Sequence, residues 1–163
     1  MKNIYSIVIV VVVLALGAWF FFSGDAVYNN SSDTSEEAKF TCNAHNSNTE
    51  NIFELEFCTY DGEVVTLAAF EGRPLVVNAW AKWCPFCVKE LPDFVTIQQE
   101  VGDAVVFVAI DRAESRKVAK GFTDSLNITD ELNFWLDPDD ALYKTIGGFS
   151  MPETLFINAD GTV

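Results

Sequence analysis

Histidine is nearly absent from this 163-residue chain: His45 is the only one, and the four cysteines include a single C-x-x-C pair, Cys84 and Cys87. Structural zinc wants four nitrogen or sulfur ligands, usually two such pairs or one pair with histidines, so the sequence offers no zinc site and no metal is indicated. His45, three residues after Cys42, reads as a solvated loop histidine, with a weak metal site as the alternative. Cations are also scarce. Ten Lys and Arg stand against twenty-four Asp and Glu for a net charge of -14, which argues against a nucleic-acid partner and otherwise means a solvated surface. No internal repeat is visible, and no organic cofactor is indicated.

What is present begins with residues 4–22, an almost unbroken apolar run that as a helix spans about 28 Å, close to the bilayer hydrocarbon thickness. Two readings stand. The length favours an uncleaved transmembrane anchor within residues 1–22, whereas Gly24-Asp25-Ala26 loosely fits a signal-peptide cleavage site. Lys2 before the run and Asp25 with further acids after it favour an N-inside orientation. Either way the remaining chain is expected on the extracytoplasmic side, and the anchor, if kept, contacts the lipid bilayer. Residues 23–51 are polar and read as a tether, and residues 52–163 suffice for one domain. Outside the cytoplasm Cys42 and Cys58 either form a second, structural disulfide or remain free.

Phe53 to Cys58 and Val64 to Leu67, joined by Asp61-Gly62, predict an N-terminal β-hairpin. Leu75 to Trp80 predicts a strand buried on both faces, and Pro85 to Glu100 a helix with Pro85 in its first turn and a bend where Pro92 interrupts it. Val105 to Ile110 predicts a second buried strand. A helix over Glu114 to Leu126 follows, then a short extended piece at Phe134 to Leu136. A helix opened by Asp137-Pro138, a strand from Thr154 to Asn158 and a turn at Asp160-Gly161 complete the pattern. Strand–helix–strand connections of this length imply parallel pairing in an α/β fold.

A strand running straight into a helix puts Cys84 at the helix N-terminus, where free N–H groups and the helix dipole favour thiolate. Cys84 is the candidate nucleophile, and Cys87, one turn on, the candidate resolving thiol. A purely structural role is weaker, because so short a loop restricts the unfolded chain little. Trp83 would form an apolar rim for a partner chain beside Pro85 and Phe86, and Lys82 would modestly favour thiolate. Glu90 is a candidate for proton transfer, with a solvated helix-face carboxylate as the plain alternative.

Trp-Cys-x-x-Cys after the first central strand and Met151-Pro152 before the late strand resemble the thioredoxin fold over nearly all of residues 52–163. Val77 to Cys84 with Cys87 to Pro92 resembles, more narrowly, the membrane-anchored TlpA, ResA and CcmG group of thiol-disulfide oxidoreductases. The resemblance implies a central mixed sheet flanked by helices, a cis bond before Pro152, and a role for Met151 and Pro152 in holding an extended substrate. Pro152-Glu153-Thr154 resembles the CcmG branch. Asn78 departs from thioredoxin proper, which has a buried acid there. The resemblance also implies a further strand and helix after Val163, so the C-terminus is expected to be truncated.

By the same resemblance the expected activity is reduction of disulfides in exported proteins, such as the cysteine pair of an apocytochrome c, as a step in cytochrome c biogenesis, with electrons from a membrane thiol carrier. Two alternatives remain: an oxidase donating its disulfide to exported chains, and a Cu(I)-binding protein on the same fold, for which no histidine follows the cysteines.

Overall fold

The computed structural model describes residues 39–46 and 49–163, which fall in one compact unit. The expected anchor, its signal-peptide alternative and most of the tether lie outside the described residues. No helix among the described residues is long and apolar enough to cross a membrane.

Six strands form one sheet: β1 (Glu56–Thr59), β2 (Val64–Thr66), β3 (Leu75–Trp80), β4 (Val106–Arg112), β5 (Asn133–Asp137) and β6 (Glu153–Ile157). Their order is β2-β1-β5-β4-β3-β6, with β3, β4 and β5 parallel and β1 and β6 antiparallel to their neighbours. Helix α1 (Pro85–Val101) connects β3 to β4, α2 (Arg116–Ser125) connects β4 to β5, and α3 (Ala141–Thr145) precedes β6. This is the thioredoxin-like α/β fold.

All six residues of β3 are buried, so the two-residue period appears as two apolar clusters and not as alternation with water. Leu75, Val77 and Ala79 join Val108, Ile110, Trp135 and Leu142 in one cluster. Trp80 joins Ala109, Phe134 and Leu136 in the other, where Leu91 and Val95 of α1, Ala119 of α2 and both cysteines of the C-x-x-C complete the packing.

The early hairpin forms as expected, with Gly62 at φ 88° in its turn. A Cβ at Gly62 would meet Thr41 O at 2.9 Å, so glycine also admits the segment that crosses it. That segment belongs to the stretch expected as tether, yet residues 39–46 are docked on the domain. Cys42 and Cys58 are joined by a disulfide, Ala44 is buried, and the Asn46 side chain both donates to Glu56 O (2.9 Å) and accepts from Glu56 N (2.8 Å). An amide side chain here completes the hydrogen bonding of Glu56 as a neighbouring strand would.

Three of the expected boundaries that shift have a local cause. Residues 52–54 form a turn of 3-10 helix capped by the Asn51 side chain rather than opening the strand. The second helix starts at Arg116, behind the capping residue Ser115. The helix expected from Asp137-Pro138 begins only at Ala141, because Asp137 ends β5 and its carboxylate accepts from the amides of Ala141 (2.9 Å) and Leu142 (2.8 Å). An acid that reads as a helix opener is a strand residue capping the helix from outside its chain path.

Candidate active site

β3 and β4 run parallel, and β3 leads through Ala81 to Trp83 directly into α1 at this end of the sheet. Cys84 is the N-cap of α1, with extended backbone, and its sulfur accepts the Cys87 amide at 3.1 Å. The two cysteines form a disulfide with Cα atoms 5.3 Å apart. Cys84 is 3% exposed and Cys87 fully buried, so of the two residues only Cys84 borders solvent. Once the bond is reduced, the Cys87 amide and the helix dipole would stabilise a thiolate on Cys84.

Around the pair, Trp83 is 60% and Phe86 72% exposed, with Pro85 exposed between them at the first helical position. Met151 packs against the apolar cluster that contains both cysteines, and the Met151–Pro152 peptide bond is cis. The structure therefore gathers Trp83, Cys84, Pro85, Phe86, Cys87 and Met151-Pro152 around one dithiol. Cys42 and Cys58 do not belong to it. Their disulfide sits on β1, which β5 and β4 separate from β3.

Glu90 lies one turn beyond Cys87 and is half-buried. Asn78 Nδ2 donates to Glu90 Oε1 at 2.8 Å and to Thr154 Oγ1 at 3.0 Å, tying α1 to β3 and β6. Burial raises the Glu90 carboxyl above the usual range; the Asn78 hydrogen bond opposes this and nearby Asp93 adds to it.

A second acidic group carries no motif in the sequence. Asp111, opposite Trp80 on β4, is fully buried, and its carboxylate accepts the Glu114 amide at 3.0 Å. Burial, followed by the facing Glu114 carboxylate, pushes its pKa well above the ordinary value. Glu114 in turn accepts the backbone N–H of Lys82 at 2.6 Å, two residues before Cys84. An acid at the end of an apolar strand is the available signal. Phe149, on the loop before Met151, is 96% exposed and likewise belongs to no motif.

A strand-to-helix dithiol facing a cis-proline loop on this sheet defines a thioredoxin-fold redox-type site. Residues 37–163 match the Redoxin family model, and the chain belongs to that family. It is 26% identical over 111 residues to the thiol:disulfide interchange protein DsbE of Vibrio cholerae, covering 68% of this chain and 58% of the relative. Against the thiol-disulfide oxidoreductase ResA of Bacillus thuringiensis it is 26% identical over 104 residues, covering 63% and 59%. Among solved structures, a secreted Mycobacterium tuberculosis disulfide oxidoreductase homologous to Escherichia coli DsbE superposes with TM-score 0.61 at 26% identity, covering 71% of this chain and 83% of that one. The chain thus spans somewhat over half the length of these curated relatives.

Proposed function

We propose that the chain is an extracytoplasmic thiol-disulfide oxidoreductase that reduces disulfides in exported proteins, an apocytochrome c among them. The observation that carries this is the Cys84–Cys87 disulfide at the start of α1, with the Cys84 sulfur accepting the Cys87 amide at the helix N-terminus. In the reduced enzyme the Cys84 thiolate attacks one sulfur of a substrate disulfide. That S–S bond breaks, the other substrate sulfur leaves as thiolate, and a mixed disulfide forms. Cys87 then gives its proton to Glu90, attacks Cys84 Sγ and expels the second substrate thiolate. The substrate gains two electrons, and the enzyme is left as the disulfide described above. A membrane thiol carrier would restore the dithiol. Trp83, Phe86, Met151 and Pro152 would hold the substrate segment.

Location follows from two supports, the apolar run at residues 4–22 as an anchor and the Cys42–Cys58 disulfide, a bond at home outside the reducing cytosol. Residues 23–38 would tether the domain to that anchor. Equilibration of the Cys84–Cys87 pair in glutathione buffers, in a Cys42→Ser/Cys58→Ser background, tests direction. A potential at or below about -220 mV supports the reductant, whereas one near about -120 mV reverses it to an oxidase.

A further inference from the structure

We propose that Tyr143, braced by Arg112 and Asp140, is a positioning residue that sets the loop ending in Ser150-Met151-Pro152 against the Cys84–Cys87 pair for a polypeptide substrate. The inference rests on the oxidoreductase reading above. Arg112 is the last residue of β4, and Asp140 precedes α3. The guanidinium grips the Asp140 carboxylate through two bonds, Nε to Oδ1 and NH2 to Oδ2, each 2.7 Å. Asp140 holds a left-handed backbone (φ 53°), and Ala113 N donates to Asp137 O at 3.0 Å, so the end of β4 is knitted to the start of α3.

On this base the guanidinium carbon lies 3.3 Å from the centroid of the Tyr143 ring, a stacked arrangement that a flexible lysine would not reproduce. The loop after α3 then packs on the ring. Gly148 N donates to Tyr143 O at 2.9 Å, the Tyr143 hydroxyl donates to Ser150 O at 3.1 Å, and a Cβ on Gly148 would fall 2.3 Å from the ring. Glycine at 148 is thus dictated by the tyrosine. The residue after Ser150 is Met151, whose side chain packs in the cluster holding both cysteines. Tyr143 is only half-buried and spends its hydroxyl on the loop backbone, not on the core. The ring also packs against the first apolar cluster, so it is the hydroxyl contact with Ser150 O that bears on where the Met151-Pro152 segment sits. Attack by Cys84 requires the substrate sulfurs in line with it, so a displaced loop penalises an extended chain and leaves a small disulfide indifferent.

The test uses the full chain with two substrates, a synthetic peptide containing an internal disulfide and hydroxyethyl disulfide, and two variants, Tyr143→Phe and Gly148→Ala. Loss of the hydroxyl's hydrogen bond to Ser150 O in Tyr143→Phe should raise KM for the peptide about five-fold. Gly148→Ala, which displaces the ring, should raise it at least as much. Turnover of hydroxyethyl disulfide and the glutathione-equilibrated potential should stay at wild-type values in both. Peptide KM unchanged in both variants, or equal losses on both substrates, would overturn the positioning role. Wild-type protein inert towards hydroxyethyl disulfide would instead sink the oxidoreductase reading, and this inference with it.

Discussion

Replacing Glu90 by glutamine separates a proton-handling carboxyl from a helix-face ornament. The substitution keeps the shape and retains an acceptor for Asn78 Nδ2, now 2.8 Å from Glu90 Oε1. Because burial already disfavours the ionised carboxylate, a neutral amide should not destabilise the fold, and the urea midpoint at pH 7 should be no lower than that of wild type. Chemistry should respond differently. A positioned general base contributes about 10²- to 10⁴-fold, so release of a mixed disulfide on Cys84 by Cys87 should slow by that factor. The assay is stopped-flow release of an aromatic thiol loaded onto Cys84. Formation of the adduct, which uses only the Cys84 thiolate, should be unchanged, and raising the pH should restore part of the lost release rate as Cys87 ionises unaided. Release within about three-fold of wild type at pH 7 would refute the role, since it lies below the range for general-base catalysis.

Removing the Cys42–Cys58 bond by double serine substitution, with a sequence separation of 16, should cost about 3 kcal/mol in urea unfolding by the chain-entropy model while leaving the Cys84–Cys87 potential unaltered. A loss under about 1 kcal/mol would mean that residues 39–46 hold their place without it. Asp111→Asn should flatten the dependence of stability on pH. A carboxyl whose folded pKa is raised favours folding fully below its unfolded value of 3.8, and that advantage is lost as pH rises towards about 9. Wild type should therefore fall progressively behind the variant across that window, and parallel urea-unfolding curves would contradict the assignment. Trp83→Ala should raise KM for a disulfide peptide without moving the potential; an unchanged KM would remove Trp83 from the docking rim.

Features encoded in neighbouring residues were legible beforehand. A continuous apolar run gave β3, Asp61-Gly62 gave the hairpin turn, and the spacing of Cys84 and Cys87 with Pro85 gave a dithiol capping a helix. Contacts set by register were not. Asn78 reads as a mere departure until β3 pairs antiparallel with β6 and brings Thr154 opposite it, 76 residues away in sequence. Asp137 looked like a helix opener because its capping of Ala141 and Leu142 is made across a turn. Asn46 looked like linker because only the folded hairpin offers Glu56 the hydrogen bonds it completes. Whether Cys42 and Cys58 pair was undecidable from spacing, since it requires residues 39–46 to cross the hairpin at Gly62.

The central claim is the division of labour between the two cysteines. Reduced Cys87→Ser and Cys84→Ser proteins would be exposed to a disulfide-containing peptide and the adducts weighed by intact mass spectrometry, in the Cys42→Ser/Cys58→Ser background. A peptide adduct that accumulates on Cys84 in Cys87→Ser, with none in Cys84→Ser, is the predicted result. An adduct on Cys87 in Cys84→Ser at a comparable rate, or none in either protein, would contradict it.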